Sequence, residues 1–221
     1  MSIRVRLVVC ASFLVALAIV AGVGSPAAAA PWFPTDNLPP LTGKYLDPGV
    51  VVYANGVIRR NAVFDGFTAT FLPPALGGTE TNSFAGMAVH EVSIDGGVSY
   101  FPISAPVQYT VRTVESDIVG LTRVFDTEVL RMDVSGGTLP PNAMIRESPT
   151  LASTGNTFIT PDAGGYRIDS FFDVFFELSL DFGQNWAPST GPGHMVLVPE
   201  PAACSLLALA VASLLARRRQ R

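Results

Sequence analysis

The chain has 221 residues, 14 basic and 18 acidic side chains and a formal net charge of −4. Arg4, Arg6, Arg217, Arg218, Arg219 and Arg221 stand at the two ends, so the stretch between them is acidic and offers no basic surface for nucleic acid. Cys10 and Cys204 also lie in the terminal segments, which leaves the middle without a disulfide, a thiol nucleophile or a thiolate metal site.

At the N-terminus, Arg4 and Arg6 precede an apolar run from Leu7 to Val23. Ala27 to Ala30 then supply the small residues that a signal peptidase reads. Residues 1–30 are therefore expected to be a helical signal peptide, cut after Ala28, Ala29 or Ala30, with an uncleaved anchor as the alternative. Val9 stands where a lipidated Cys10 would need a small residue, which argues against a lipoprotein. The mean hydropathy of +0.38 is inflated by the two termini.

Residues 31–48 are proline-rich and read as an extended lead-in. Residues 49–198 form one domain of ordinary size. No stretch there keeps a helical period. Glycine and proline recur between short runs of Val, Phe, Thr, Ile and Tyr, the pattern of an all-β domain. Val50 to Ala54 and Val57 to Arg59 flank Asn55-Gly56, which predicts a hairpin with a type I′ turn. Further strands are expected over Ala62–Leu72, Ser83–Ile94, Val107–Thr113, Leu121–Val134, Met144–Glu147, Thr157–Thr160 and Tyr166–Leu180. In the last of these, Phe172, Val174, Phe176, Leu178 and Leu180 should face the core, with Phe171 and Phe175 outward.

One segment recurs. Glu91 to Pro102 aligns with Glu177 to Pro188, sharing Glu, Ser, Asp, Gly and Pro, and the register runs on to set Pro106 on Pro192. Two copies are too few for a solenoid, so the expected fold is an antiparallel β-sandwich of two related halves, flanked by the signal helix and a C-terminal transmembrane helix. By the repeat, Gly86, Ala88, His90, Val92 and Ile94 are the inward residues of the first copy. Ser93, Asp95, Gly97 and Tyr100, and again Ser179, Asp181, Gly183 and Trp186, fill a Ser-x-Asp-x-Gly-x-x-aromatic pattern. It resembles the Asp-box hairpin of sialidases and other β-propellers. Such a turn works locally: the carboxylate accepts turn amides, glycine supplies positive φ and the aromatic packs across the hairpin. In those families the box is a folding element away from the active site.

Little else points to chemistry. His90 aligns with Phe176 and is expected as a half-buried core residue, and His194 as an exposed residue at a strand start. Two histidines without a third ligand argue against zinc. There is no Gly-x-Ser-x-Gly elbow, and no acidic run has calcium-loop spacing, although separate loops could still supply a calcium site. No cofactor, metal or catalytic residue is assigned.

The C-terminus has three parts in order: Pro199-Glu200-Pro201, an uncharged apolar segment from Ala202 to Ala216, and Arg217, Arg218, Arg219 and Arg221. The apolar segment is short for a span of about 20 residues, but flanking arginines can snorkel. Their charge places the C-terminus in the cytoplasm and the domain outside. Together the three parts resemble the PEP-CTERM sorting signal of bacterial surface proteins. That resemblance implies export past a signal peptidase, transient or permanent anchoring of residues 199–221 in the membrane, and processing by an exosortase-type enzyme. It makes the chain a substrate rather than an enzyme, acting in the cell envelope or extracellular matrix. Many relatives are associated with exopolysaccharide, a candidate partner. The alternative is a carbohydrate-binding or adhesive module using Trp32, Tyr45, Tyr100 or Trp186. A secreted hydrolase is the third reading and would need a pocket with converging carboxylates or a histidine.

Overall fold

The computed structural model describes residues 31–199. The signal segment, Glu200, Pro201, the apolar tail and the retention arginines lie outside the described residues; Pro199 ends the last strand. All regular structure among the described residues is β. The strands are β1 (Trp32–Phe33), β2 (Gly43–Val52), β3 (Ile58–Asp65), β4 (Thr79–Ser93), β5 (Phe101–Val119), β6 (Thr122–Ser135), β7 (Met144–Glu147), β8 (Ser153–Asp162), β9 (Gly165–Val174), β10 (Phe176–Ser179), β11 (Ala187–Pro188) and β12 (Gly193–Pro199).

The expected sandwich is replaced by a barrel. Strands β2, β3, β4, β5, β6, β8, β9 and β12 pair antiparallel in that order, and β12 pairs back onto β2 through Leu197 with Tyr45 and Val198 with Lys44. A sandwich would leave open edges on both sheets. Closure removes them and satisfies every ladder without a second sheet. The lead-in therefore contributes: β2 begins at Gly43, inside the proline-rich stretch. The remaining strands are appendages. β7, β10 and β11 extend from the end of β6, and β1 adds to β9.

Local chemistry explains the turns. The hairpin at Asn55-Gly56 forms, but not as type I′: only Gly56 takes positive φ, 84°. Gly56 N donates to Tyr53 O, and Asn55 Oδ1 accepts from Val57 N at 3.3 Å. The strand expected over Ala62–Leu72 stops at Asp65. Gly66 follows with φ 61°, and the chain from Phe67 to Gly78 crosses the barrel mouth. Leu38 and Phe71 exchange backbone hydrogen bonds across this cover. Tyr166–Leu180 is two strands, interrupted at Phe175, whose carbonyl accepts from Ser148 N.

The core fills the barrel. Phe172, Val174, Phe176 and Leu178 are buried as expected, as are Gly86, Ala88 and His90. Val92 is half-buried. Leu180 and Ile94 are exposed, because each stands at the entrance to a tight turn, beyond the end of its strand. His90 is fully rather than half buried, and neither ring nitrogen has a hydrogen-bond partner. Beside it lies an internal ion pair, Arg59 Nη2 to Asp47 Oδ2 at 2.6 Å, with Arg59 packed over the Phe176 ring at 4.2 Å. Gly193 makes room for this pair: a Cβ there would stand 2.7 Å from Arg59 Nη2 and 3.0 Å from Phe176.

Candidate functional site

The two repeated hairpins share one hydrogen-bond plan. In the first, Ser93 Oγ donates to Asp95 Oδ1 at 2.7 Å and accepts from Gly97 N at 2.8 Å, while Asp95 Oδ1 accepts Val98 N and Ser99 N. In the second, Ser179 Oγ donates to Asp181 Oδ1 at 2.8 Å and accepts from Gly183 N at 2.9 Å, and Asp181 accepts Asn185 N and Nδ2. Gly97 and Gly183 both take positive φ, 92° and 81°. Hydrogen bonds to the charged form lower a carboxyl pKa. The Ser99 hydroxyl and amide accordingly hold Asp95 far below the usual carboxylate range. The Asn185 amide and side chain hold Asp181 at about 2.

The repeat reaches a third strand that local pattern did not reveal. The offset that carries Glu91 onto Glu177 also carries Arg60 on β3 onto Arg146 on β7. Arg60 pairs in register with Glu91, and Arg146 with Glu177. Each arginine ion-pairs with that glutamate, at 2.6 and 2.7 Å. Each also covers the aromatic of its hairpin: Arg60 stands 3.4 Å from the centre of the Tyr100 ring, and Arg146 3.9 Å from that of Trp186. Cation–π contact of this kind is worth about 0.5–2 kcal/mol. The pairing Glu91 with Pro102 recurs as Glu177 with Pro188. Beyond that point the copies part. Gly86 pairs with Val107, but its counterpart Phe172 pairs with Met195 rather than Gly193, so the gapless register of the sequence is lost after Pro188.

These contacts reassign the aromatic candidates. Tyr45 is buried and donates from its hydroxyl to Ser170 Oγ at 3.0 Å. Tyr100 and Trp186 are half-buried with one face under an arginine, and Trp32 stays open at 44 % exposure.

A cleft on the outer wall, crossing β5, β6, β8 and β9, combines the polar groups that sequence spacing kept apart. It encloses about 440 Å³. Arg112 ion-pairs there with Glu128, and Asn156 Nδ2 donates to Asp126 Oδ1 at 2.9 Å. Phe171, expected outward, lines it together with Asp173. Next to the cleft, His194 at the start of β12 is exposed as expected, and its Nδ1 lies 2.7 Å from Asp173 Oδ1. Its ring tilts against Phe171 at 5.6 Å. Gly155 is required at the floor, because a Cβ there would run into the Phe171 carbonyl. Aromatic surface flanked by carboxylates, an amide and a guanidinium is chemistry that can hold sugar hydroxyls. Outward alternation along β9 was the one signal in the sequence for this cleft; the other strands of its wall gave none.

Among the described residues no group of three or more His, Asp or Glu is placed to hold a metal ion, and no helix is long and apolar enough to cross a membrane. No family model matches the chain, and neither a curated protein nor a solved structure matches it.

Proposed function

We propose that this is an exported protein of the cell envelope or extracellular matrix, sorted through its C-terminal segment and acting there as a structural component rather than an enzyme. The observation that carries this is the order of the tail: Pro199-Glu200-Pro201, then Ala202 to Ala216, then Arg217, Arg218, Arg219 and Arg221. An exosortase-type enzyme is the processing partner, after a signal peptidase has removed residues 1–30. The barrel suits such a role. Its main sheet has no open edge, and the appended β1 and β11 are only two residues each, so little backbone is free to template aggregation. The shared offset of the Arg–Glu–aromatic sets relates the β3–β4–β5 hairpin of the barrel to the appended β7, β10 and β11, which favours duplication of one hairpin unit. Replacing Pro199, Glu200 and Pro201 together by alanine in the host should leave the chain held in the membrane. Release at the wild-type level would sink the sorting reading.

A second reading, a carbohydrate-binding or adhesive module, is favoured by the outer cleft at Phe171, Asp126, Asn156 and Asp173. Exopolysaccharide is then the ligand. On a polysaccharide array, retention that falls about tenfold in Phe171→Ala supports it. No retention of any glycan by the wild-type chain removes it.

A further inference from the structure

The barrel interior holds a second candidate site, at the end opposite the Arg59–Asp47 pair and beneath the Phe67–Gly78 cover. Its cavity of about 60 Å³ is walled mainly by apolar side chains from both sides of the barrel, and among the described residues no charged side chain lines it. Phe67 stands at its centre of contacts, meeting Tyr45, Phe84 and Tyr109 edge-on at 6.1, 5.8 and 6.0 Å.

Four of the hydroxyls on this wall divide into two kinds. Tyr45 and Thr157 are satisfied through Ser170, at 3.0 and 2.7 Å. Tyr109 and Thr127 are at least nine-tenths buried, and neither Tyr109 OH nor Thr127 Oγ1 has a partner. Buried hydroxyls are rarely left this way, because each loses its water without gaining a bond. An ion would be costly among these walls for the same reason. From these observations we infer that the barrel binds an uncharged, lipophilic small molecule carrying one hydrogen-bonding oxygen, which Tyr109 and Thr127 receive. Eight-stranded barrels have an interior of the size to hold one small ligand.

In the present structure the cavity is small. It has less than half of the ~150 Å³ that admits benzene in an engineered protein cavity. Entry therefore requires the cover to move. The cover is held by the Leu38–Phe71 bridge, by Thr68 with Ala85, by Arg123 Nη2 to Pro74 O at 2.6 Å, by Gly77 N and Gly78 O with Glu115, and by the Phe67 ring, so these are the contacts that opening must release. Leu72 and Leu76 on it are 70 % and 60 % exposed, an apolar approach to the mouth.

Methionine methyl groups report on the cavity directly. Met132 and Met195 line it, whereas Met87 and Met144 do not. The full chain, labelled with ¹³C-methyl methionine and held in lipid nanodiscs, would be titrated with cyclohexanone and with methylcyclohexane. Saturable shifts of Met132 and Met195, with Met87 and Met144 unmoved, are expected. In Tyr109→Phe the cyclohexanone Kd should rise up to about tenfold, the worth of one hydrogen bond, while the methylcyclohexane Kd stays constant. Shifts that are absent, or that rise without saturation at all four methyls, would overturn the proposal. Equal weakening of both probes in Tyr109→Phe would overturn the role of the hydroxyl.

Discussion

Arg59 and Asp47 meet at 2.6 Å inside the barrel, and neither side chain is more than 2 % exposed. Their attraction replaces two hydration shells, so the pair is neutral to stability only while both members are present. Asp47→Ala leaves a buried guanidinium unpaired and should cost about 3–5 kcal/mol in urea unfolding. The double change Asp47→Leu with Arg59→Met should recover most of that loss. A double variant no more stable than Asp47→Ala would show that the pair is not what the single change disrupts.

His90 makes the fold acid-sensitive. Burial, reinforced by the nearby Arg59 charge, pushes its pKa from 6.5 down to about 3. Below pH 6.5 the unfolded chain takes up a proton that the folded chain refuses. Stability from this residue is thus complete above 6.5 and is lost as pH falls toward 3. His90→Phe, which installs the residue found at its counterpart Phe176, should flatten the melting temperature across that window. An unchanged slope would contradict this.

Glu147 acts in the opposite sense. Burial raises its pKa to about 7, opposed by a hydrogen bond from Ser153 and aided by the charges of Glu128, Glu177 and Asp133. Between the usual 4.5 and about 7 the folded state holds the proton more tightly than the unfolded state, so stability declines as pH rises through that range. Glu147→Gln should remove this decline. Thermal melts at pH 5 and pH 8 check it, and a wild-type and variant that lose the same stability between them would refute it.

Phe182 carries backbone strain that its counterpart avoids. It has φ 61° in the second hairpin, where the first has Gly96 at φ 73°. A non-glycine residue in this region costs about 1–2 kcal/mol, and Phe182 is 68 % exposed, so its ring is little buried. Phe182→Gly should stabilise by about 0.5–1 kcal/mol once the greater freedom of glycine in the unfolded chain is subtracted. A loss of stability would mean that the ring makes contacts which outweigh the strain.

Much of the fold was legible locally. Alternation gave the inward face of Phe172, Val174, Phe176 and Leu178, and the Asn55-Gly56 and Ser-Asp-Gly patterns gave turns at the right places. What was not legible is non-local. Closure depends on Leu197 finding Tyr45 across almost the whole domain, and period-two alternation looks the same in a sandwich and a barrel. Phe67 to Leu72 mimics a strand in composition, yet Gly66 turns it across the mouth, where its rings cover the interior. Arg60 and Arg146 stand outside the aligned segment, so their partnership with Glu91 and Glu177 emerged only from strand pairing. The outer cleft was hidden for the same reason, because four strands contribute to it.

The proposed role of the tail is that of a sorting signal which is removed. Its most direct test is the intact mass of the protein recovered from its native envelope. The account predicts a chain that begins near Pro31 and ends near Pro199 to Pro201, without the arginines. A mass that still includes Arg221 would contradict it and make the tail a permanent anchor.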